Sequence, residues 1–123
     1  MVSPPYNQQP VNKFIRLEEN GNIDNTCLNN IGTGANGTIN VIQLQQDGKI
    51  LLGGTFNSFN GFAANNIIRL NVNCSIDSNF NLGTGFNSSV NDIFVMLDEN
   101  ILVGGDFTSF NGNPVKGLVK LIP

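Results

Sequence analysis

One half of this chain repeats the other, and that limits its fold more than any other feature. The segment Ile39 to Gly61 (INVIQLQQDGKILLGGTFNSFNG) realigns on Val90 to Gly112 (VNDIFVMLDENILVGGDFTSFNG) at an offset of 51, with 12 of 23 positions identical. Upstream, Ile15-Arg16-Leu17 matches Ile68-Arg69-Leu70, and Ile23-Asp24 matches Ile76-Asp77, now at an offset of 53. The change of offset falls in a loop, where NTCLNNIGTG is longer than SNFNLGTG. A third, truncated start occurs at Leu118-Val119-Lys120-Leu121. The chain therefore holds two full units and one extra copy of the first strand. Such repetition marks an architecture in which neighbouring units bury each other's faces.

Within a unit, the local signals are strands and tight turns. Ile39, Val41, Ile42 and Leu44 form a short β-rich run, and Asp47-Gly48 reads as a two-residue hairpin turn with glycine supplying a positive φ. Lys49 to Phe56 returns as an apolar strand suited to burial on both faces. The pairs Gly53-Gly54 and Gly104-Gly105 permit close backbone approach or a bulge. In the second unit Asp98-Glu99-Asn100 replaces Asp-Gly, and Asn100 is expected to take the left-handed position. SFNG reads as a loop and IIRL as the next strand. No ten-residue window carries the helical spacing of apolar residues, so the expected fold is all-β.

These residues resemble a known family. Units of about 50 residues carrying DGKILLGGTF, SFNG, IIRLN, SIDSNF and a GTGF turn are similar to the delta-60 repeats of bacterial and phage proteins. The resemblance covers roughly Lys13 to Ile122. The first unit holds the signature best, at Asp47 to Gly54, and the second departs from it at Glu99 and Asn100. The IDxxF element is intact at Ile76, Asp77 and Phe80 but loosened at Ile23, Asp24 and Leu28, and Cys74 stands where Gly21 marks the turn. The resemblance implies a β-propeller-like array and no particular chemistry.

The expected organisation is an extended N-terminal arm over residues 1–12, then two propeller-type repeats over about 13–65 and 66–117, with a C-terminal extra strand to 123. Two units leave open sides, because about three are normally needed before every face is covered. The apolar strands Ile50-Leu51-Leu52 and Ile101-Leu102-Val103 carry little charge to blunt such an edge. The expectation is a cyclic homo-oligomer whose units sum to a closed propeller, three chains giving six units. The alternative is a stand-alone small sandwich.

Composition narrows the function. At 123 residues this is one small domain. Six Lys and Arg residues against nine Asp and Glu cannot build a phosphate-binding stripe, so no nucleic acid is expected. No apolar run approaches the ~20 residues that span a bilayer. The absence of histidine excludes Ser-His-Asp triads, histidine-bound zinc and imidazole proton shuttles, so neither an enzyme nor a cofactor is expected. Asparagine supplies 22 residues, which fits a chain full of turns. The sequons at Asn36, Asn73 and Asn87 are no more than that richness produces by chance. Cys27 and Cys74 do not fall at equivalent repeat positions and read first as free thiols, with one bridge as the alternative. The start, MVSPPYNQQP, has no basic or apolar stretch and does not read as a secretory signal.

Three groups of residues invite chemistry. Asp24, Asp47, Asp77, Asp98 and Asp106 lie near glycines and asparagines, yet none has the calcium-loop spacing, so they read as turn and cap residues and no metal is expected. Arg16 and Arg69 are expected to pair with the repeat carboxylates Asp24 and Asp77. Phe59-Asn60 and Phe110-Asn111 are the weak ligand candidates, as repeated loop aromatics that could stack on sugars. A core role is favoured for the phenylalanines, since the chain has no Trp and only Tyr6 to accompany them. Glu18 and Glu19 are adjacent, face opposite ways on a strand, and make no catalytic pair.

The expected function is a non-enzymatic structural or interaction module. Family resemblance, short length and the arm suggest a phage virion protein (tail, fibre or capsid accessory), with itself and other virion proteins as partners. The alternative is a carbohydrate- or cell-surface-binding module that meets a host-surface glycan, with a cytoplasmic or extracellular bacterial setting in place of the virion.

Overall fold

The computed structural model describes residues 14–122, so the arm expected over residues 1–12 lies outside the described residues. The repeat becomes two three-stranded antiparallel sheets. In the first, β2 (Ile50–Thr55) runs between β1 (Thr38–Leu44) and β5 (Ile67–Leu70). In the second, β7 (Ile101–Gly105) runs between β6 (Val90–Val95) and β10 (Leu118–Leu121). We call these sheets blade 1 and blade 2. Each is followed out of its central strand by a two-stranded ribbon: β3 (Ser58–Phe59) with β4 (Phe62–Ala63), and β8 (Ser109–Phe110) with β9 (Asn113–Pro114).

The central strand of blade 1 is buried along Ile50 to Gly54, as its apolar run requires. Alternation sends its side chains into two cores. Ile50 and Leu52 join Ile68, Leu70, Phe56 and Phe59 on one face, covered by Phe14, Cys27 and Ile31. Leu51 and Ile67 leave by the other face and meet Val90, Ile93, Ile101, Val103 and Phe107 of blade 2. Within that second core Phe86 lies against Phe107 with ring centroids 4.3 Å apart. Both sheets carry the bulge that the paired glycines allowed: register shifts between Ile39 and Val41 opposite Gly54 and Gly53, and between Val90 and Asp92 opposite Gly105 and Gly104. A Cβ on Gly54 would run into the Thr38 carbonyl, and one on Gly105 into that of Ser89.

The fold is all-β as expected, and several finer expectations are corrected. Among the described residues there is one short helix, α1 (Asn25–Ile31), within the longer loop of the first unit. Its seven residues are too few for a periodic signal. The Asp24 side chain caps it by accepting from the Cys27 backbone N–H. The β1–β2 turn spans Gln45 to Lys49, closed by Gly48 N–H to Gln45 C=O, and Gly48 alone takes φ +87°. It is therefore a type I-like turn ending in a glycine bulge, rather than a two-residue turn. In blade 2 the left-handed residue is Glu99 (φ +73°), not Asn100. SFNG is a hairpin, with Asn60-Gly61 (φ +48° and +81°) as its two-residue turn.

The extra strand also changes place. Leu118–Leu121 pairs with β7 and completes blade 2. The leftover copy is at the other end, where Phe14–Leu17 has a single bridge, Leu17 to Ile23, as its described strand pairing. The reason is that the IIRL strand opens the sequence repeat but closes the preceding sheet. Finally, Cys27 and Cys74 form a disulfide, with Cα atoms 4.9 Å apart, and the free-thiol expectation falls.

Candidate functional site

The seam between the blades is built from a hollow and two aliphatic side chains. Gly53 leaves a gap in the floor of blade 1, and Val90 and Ile93 fill it; a Cβ on Gly53 would stand 2.5 Å from Val90 Cγ1 and 3.0 Å from Ile93 Cδ1. Polar contacts frame this apolar contact. Asn40 Nδ2 donates to the Val90 carbonyl (3.1 Å), Asn66 Nδ2 to that of Phe86 (2.8 Å) and Asn65 Nδ2 to that of Thr84 (2.8 Å). The Thr55 and Ser89 hydroxyls meet at 2.7 Å. Asparagine serves this role because one short side chain can reach a neighbouring backbone carbonyl.

The outward face of blade 2 presents the same positions without a cover. Register puts Asp92, Gly104 and Leu118 side by side, with Phe94, Leu102 and Lys120 in the next row. Leu118 is the counterpart of Ile67; Ile67 is 5% exposed and Leu118 63%. Phe94 is 61% exposed. The counterpart of Gly53 is Gly104, where an added Cβ would meet only the Gly117 carbonyl, at 3.8 Å. At the opposite end of the chain, Ile39 and Ile42 are half-buried and Leu44 is exposed, whereas their counterparts Val90 and Ile93 are buried and Val95 half-buried.

The expected carboxylate–arginine pairs both form. Arg16 Nε donates to Asp24 Oδ2 at 3.0 Å, and Arg69 Nε to Asp77 Oδ2 at 2.9 Å. Asp77 is buried and also receives Lys49 Nζ at 2.8 Å, a partner the sequence reading missed because Lys49 lies in the turn of the other unit. The Lys49 hydrogen bond is the main cause that holds the Asp77 carboxyl below its usual pKa, with the Asn79 N–H and Arg69 adding to it against the opposing effect of burial. For Asp24 the lowering comes first from the Cys27 N–H and then from Arg16, again against burial. The Arg69 guanidinium also lies over the Phe80 ring, 4.7 Å from its centroid. These charges form one pair and one triad that hold loops to blade 1.

The four weak ligand candidates lie in the two ribbons. Phe59 is fully buried and offers no face to a ligand. Phe110 is half-buried, its ring 4.8 Å from that of Phe86. The side-chain oxygens of Asn60 and Asn111 accept from the backbone N–H groups of Thr33 and Thr84, each at 3.1 Å, and so tie each ribbon to its GTG turn. A groove beside the seam is lined by Arg69, Asn79, Asn81, Phe110, Asn111 and Leu121. It includes the second pair of candidates but not the first. Among the described residues no three His, Cys, Asp or Glu side chains are grouped to hold a metal ion. Nor is any helix among them long and apolar enough to cross a membrane.

Antiparallel blades stacked through a glycine-floored seam define a β-propeller-like repeat protein. The chain belongs to the family described as domain of unknown function (DUF5122) beta-propeller, whose model matches residues 3–26, 45–80 and 98–123, more than two thirds of the sequence. No curated protein and no solved structure matches the chain.

Proposed function

We propose that this chain is a non-enzymatic structural and interaction module that acts by joining its blades to further propeller blades, as a homo-oligomer. One observation carries this reading: Leu118 is 63% exposed where its counterpart Ile67, in the covered seam, is 5% exposed. An apolar sheet face of this kind is stable in water mainly as half of an interface. The family match supports the blade architecture on which the reading depends. The particle setting expected from sequence, a phage virion, belongs to this proposal on the family resemblance alone. The Cys27–Cys74 bridge favours surroundings outside a reducing cytoplasm.

The carbohydrate-binding alternative has less to draw on. Phe59 is buried, and the amide oxygens of Asn60 and Asn111 are occupied by backbone donors.

The chain has no tryptophan, so Phe94→Trp installs a single reporter on the exposed face. Raising the concentration of this variant from nanomolar to micromolar should shift its emission to the blue and shield it from iodide. An emission spectrum that stays solvent-exposed at every concentration contradicts the proposal.

A further inference from the structure

We infer that the outward face of blade 2 receives blade 1 of a second copy of this chain, head to tail, through a repeat of the seam already present inside the chain. This rests on the interaction reading above and names the partner and the surface. The intrachain seam has two halves: an acceptor floor of Leu51, Gly53 and Ile67, and a donor strand bearing Val90 and Ile93. Each chain carries one further acceptor, Leu102, Gly104 and Leu118, and one further donor, Ile39, Ile42 and Leu44. Both are incompletely covered: Leu118 and Leu44 are exposed by 63% and 66%, and Ile39 and Ile42 are half-buried. An acceptor on one copy that matches a donor on the next makes a heterologous interface, which closes into a ring when the rotation permits. Three copies give six blades, within the four to eight of known propellers.

Docking in this way brings Leu118 to the place that Phe14 of the second copy holds, since both are counterparts of Ile67. Segment 14–17 is the one that yields, giving up the burial of Phe14 in the outer core, the Arg16–Asp24 pair and the Arg16 bond to the Val72 carbonyl. Among the described residues it has one bridge, Leu17 to Ile23, as strand pairing, whereas four residue pairs hold β10 to β7. The new seam is also weaker than the intrachain one. Asp92 stands where Val41 stands, and Lys116 and Gly117 replace the clamps Asn65 and Asn66, so the assembly dissociates on dilution.

The test uses the full chain and its solution mass. Gly104→Leu fills the acceptor hollow with room to spare inside the monomer, since a Cβ there meets nothing closer than 3.8 Å. It should leave the circular dichroism unchanged and reduce the assembly to monomers. Leu44→Asp, at an exposed donor position, should do the same. An equimolar mixture of the two variants should form a heterodimer and nothing larger, because each supplies the end that the other lacks. Asp92→Val should move assembly to lower concentration. If the wild-type chain assembles and Gly104→Leu assembles equally well, the acceptor is wrong while the interaction reading stands. If the mixture stays monomeric, the head-to-tail arrangement is wrong. A wild-type chain that is monomeric throughout overturns both.

Discussion

The bridge between Cys27 and Cys74 joins two places where the repeat units depart from each other. Cys27 sits in α1, within the loop that is longer in the first unit, and Cys74 takes φ +71° at the turn where the first unit has Gly21 at φ +88°. Both sulfur-bearing residues are fully buried beside Phe14 and Ile31 in the outer core of blade 1. That core has no preceding blade within the described residues, and the bridge fastens α1 over it. The helix and the strained turn are thus two parts of one device.

Removing the bridge should cost about 4 kcal/mol on the chain-entropy estimate for a closed loop of this length. Denaturant unfolding of Cys27→Ala with Cys74→Ala measures it. Combining Cys27→Ala with Cys74→Gly should lose about 1–2 kcal/mol less, because glycine takes a left-handed backbone without the Cβ penalty.

Asp77, in the connection between β5 and β6, ties that loop to blade 1 through Lys49 and Arg69, so its loss should be felt as two unpaired cations. Asp77→Ala is expected to destabilise by about 3 kcal/mol, in the range for breaking a buried pair. The pH dependence has a definite sign. The folded-state pKa is lowered, so the stabilisation is complete above the unfolded carboxylate value of about 3.9 and is lost as pH falls through the lower folded value. Asp77→Asn should flatten the acid limb of stability against pH; an unchanged acid limb would show that other carboxylates govern it.

The two floor glycines should differ although the sequence repeats them identically. Gly53→Ala places a methyl group against Val90 and should cost about 1–3 kcal/mol by overpacking. Gly104→Ala in the dissociated monomer should lie within about 0.5 kcal/mol of wild type.

Glu99 holds a left-handed turn position that glycine holds at Gly48. Glu99→Gly should therefore stabilise the chain by about 1 kcal/mol, read as a higher thermal midpoint.

Much of this architecture is legible in the chain. The 51-residue offset gives the blades, the apolar run Ile50 to Leu52 gives the doubly buried central strand, and Arg16 with Asp24 and Arg69 with Asp77 give the loop pairs. What escaped has physical causes. Helix α1 is too short for periodicity, and its one signal was a cap, Asp24 three residues before Cys27. The Cys27–Cys74 pairing is invisible to repeat alignment because it joins non-equivalent positions. The Asn60-Gly61 turn carries the strongest short hairpin dipeptide, but the strands beside it are two residues long and too short to show an alternating pattern. That Leu118–Leu121 completes its own sheet depends on strand order, which a repeat boundary does not fix.

The most direct measurement is the solution mass of the intact chain by light scattering across a dilution series. Expected is a small whole-number multiple of the chain mass at micromolar concentration, three chains for six blades, falling to one chain on dilution. A well-folded monomer over the whole series would contradict the central claim, since the face bearing Phe94, Leu102 and Leu118 would then be stable uncovered.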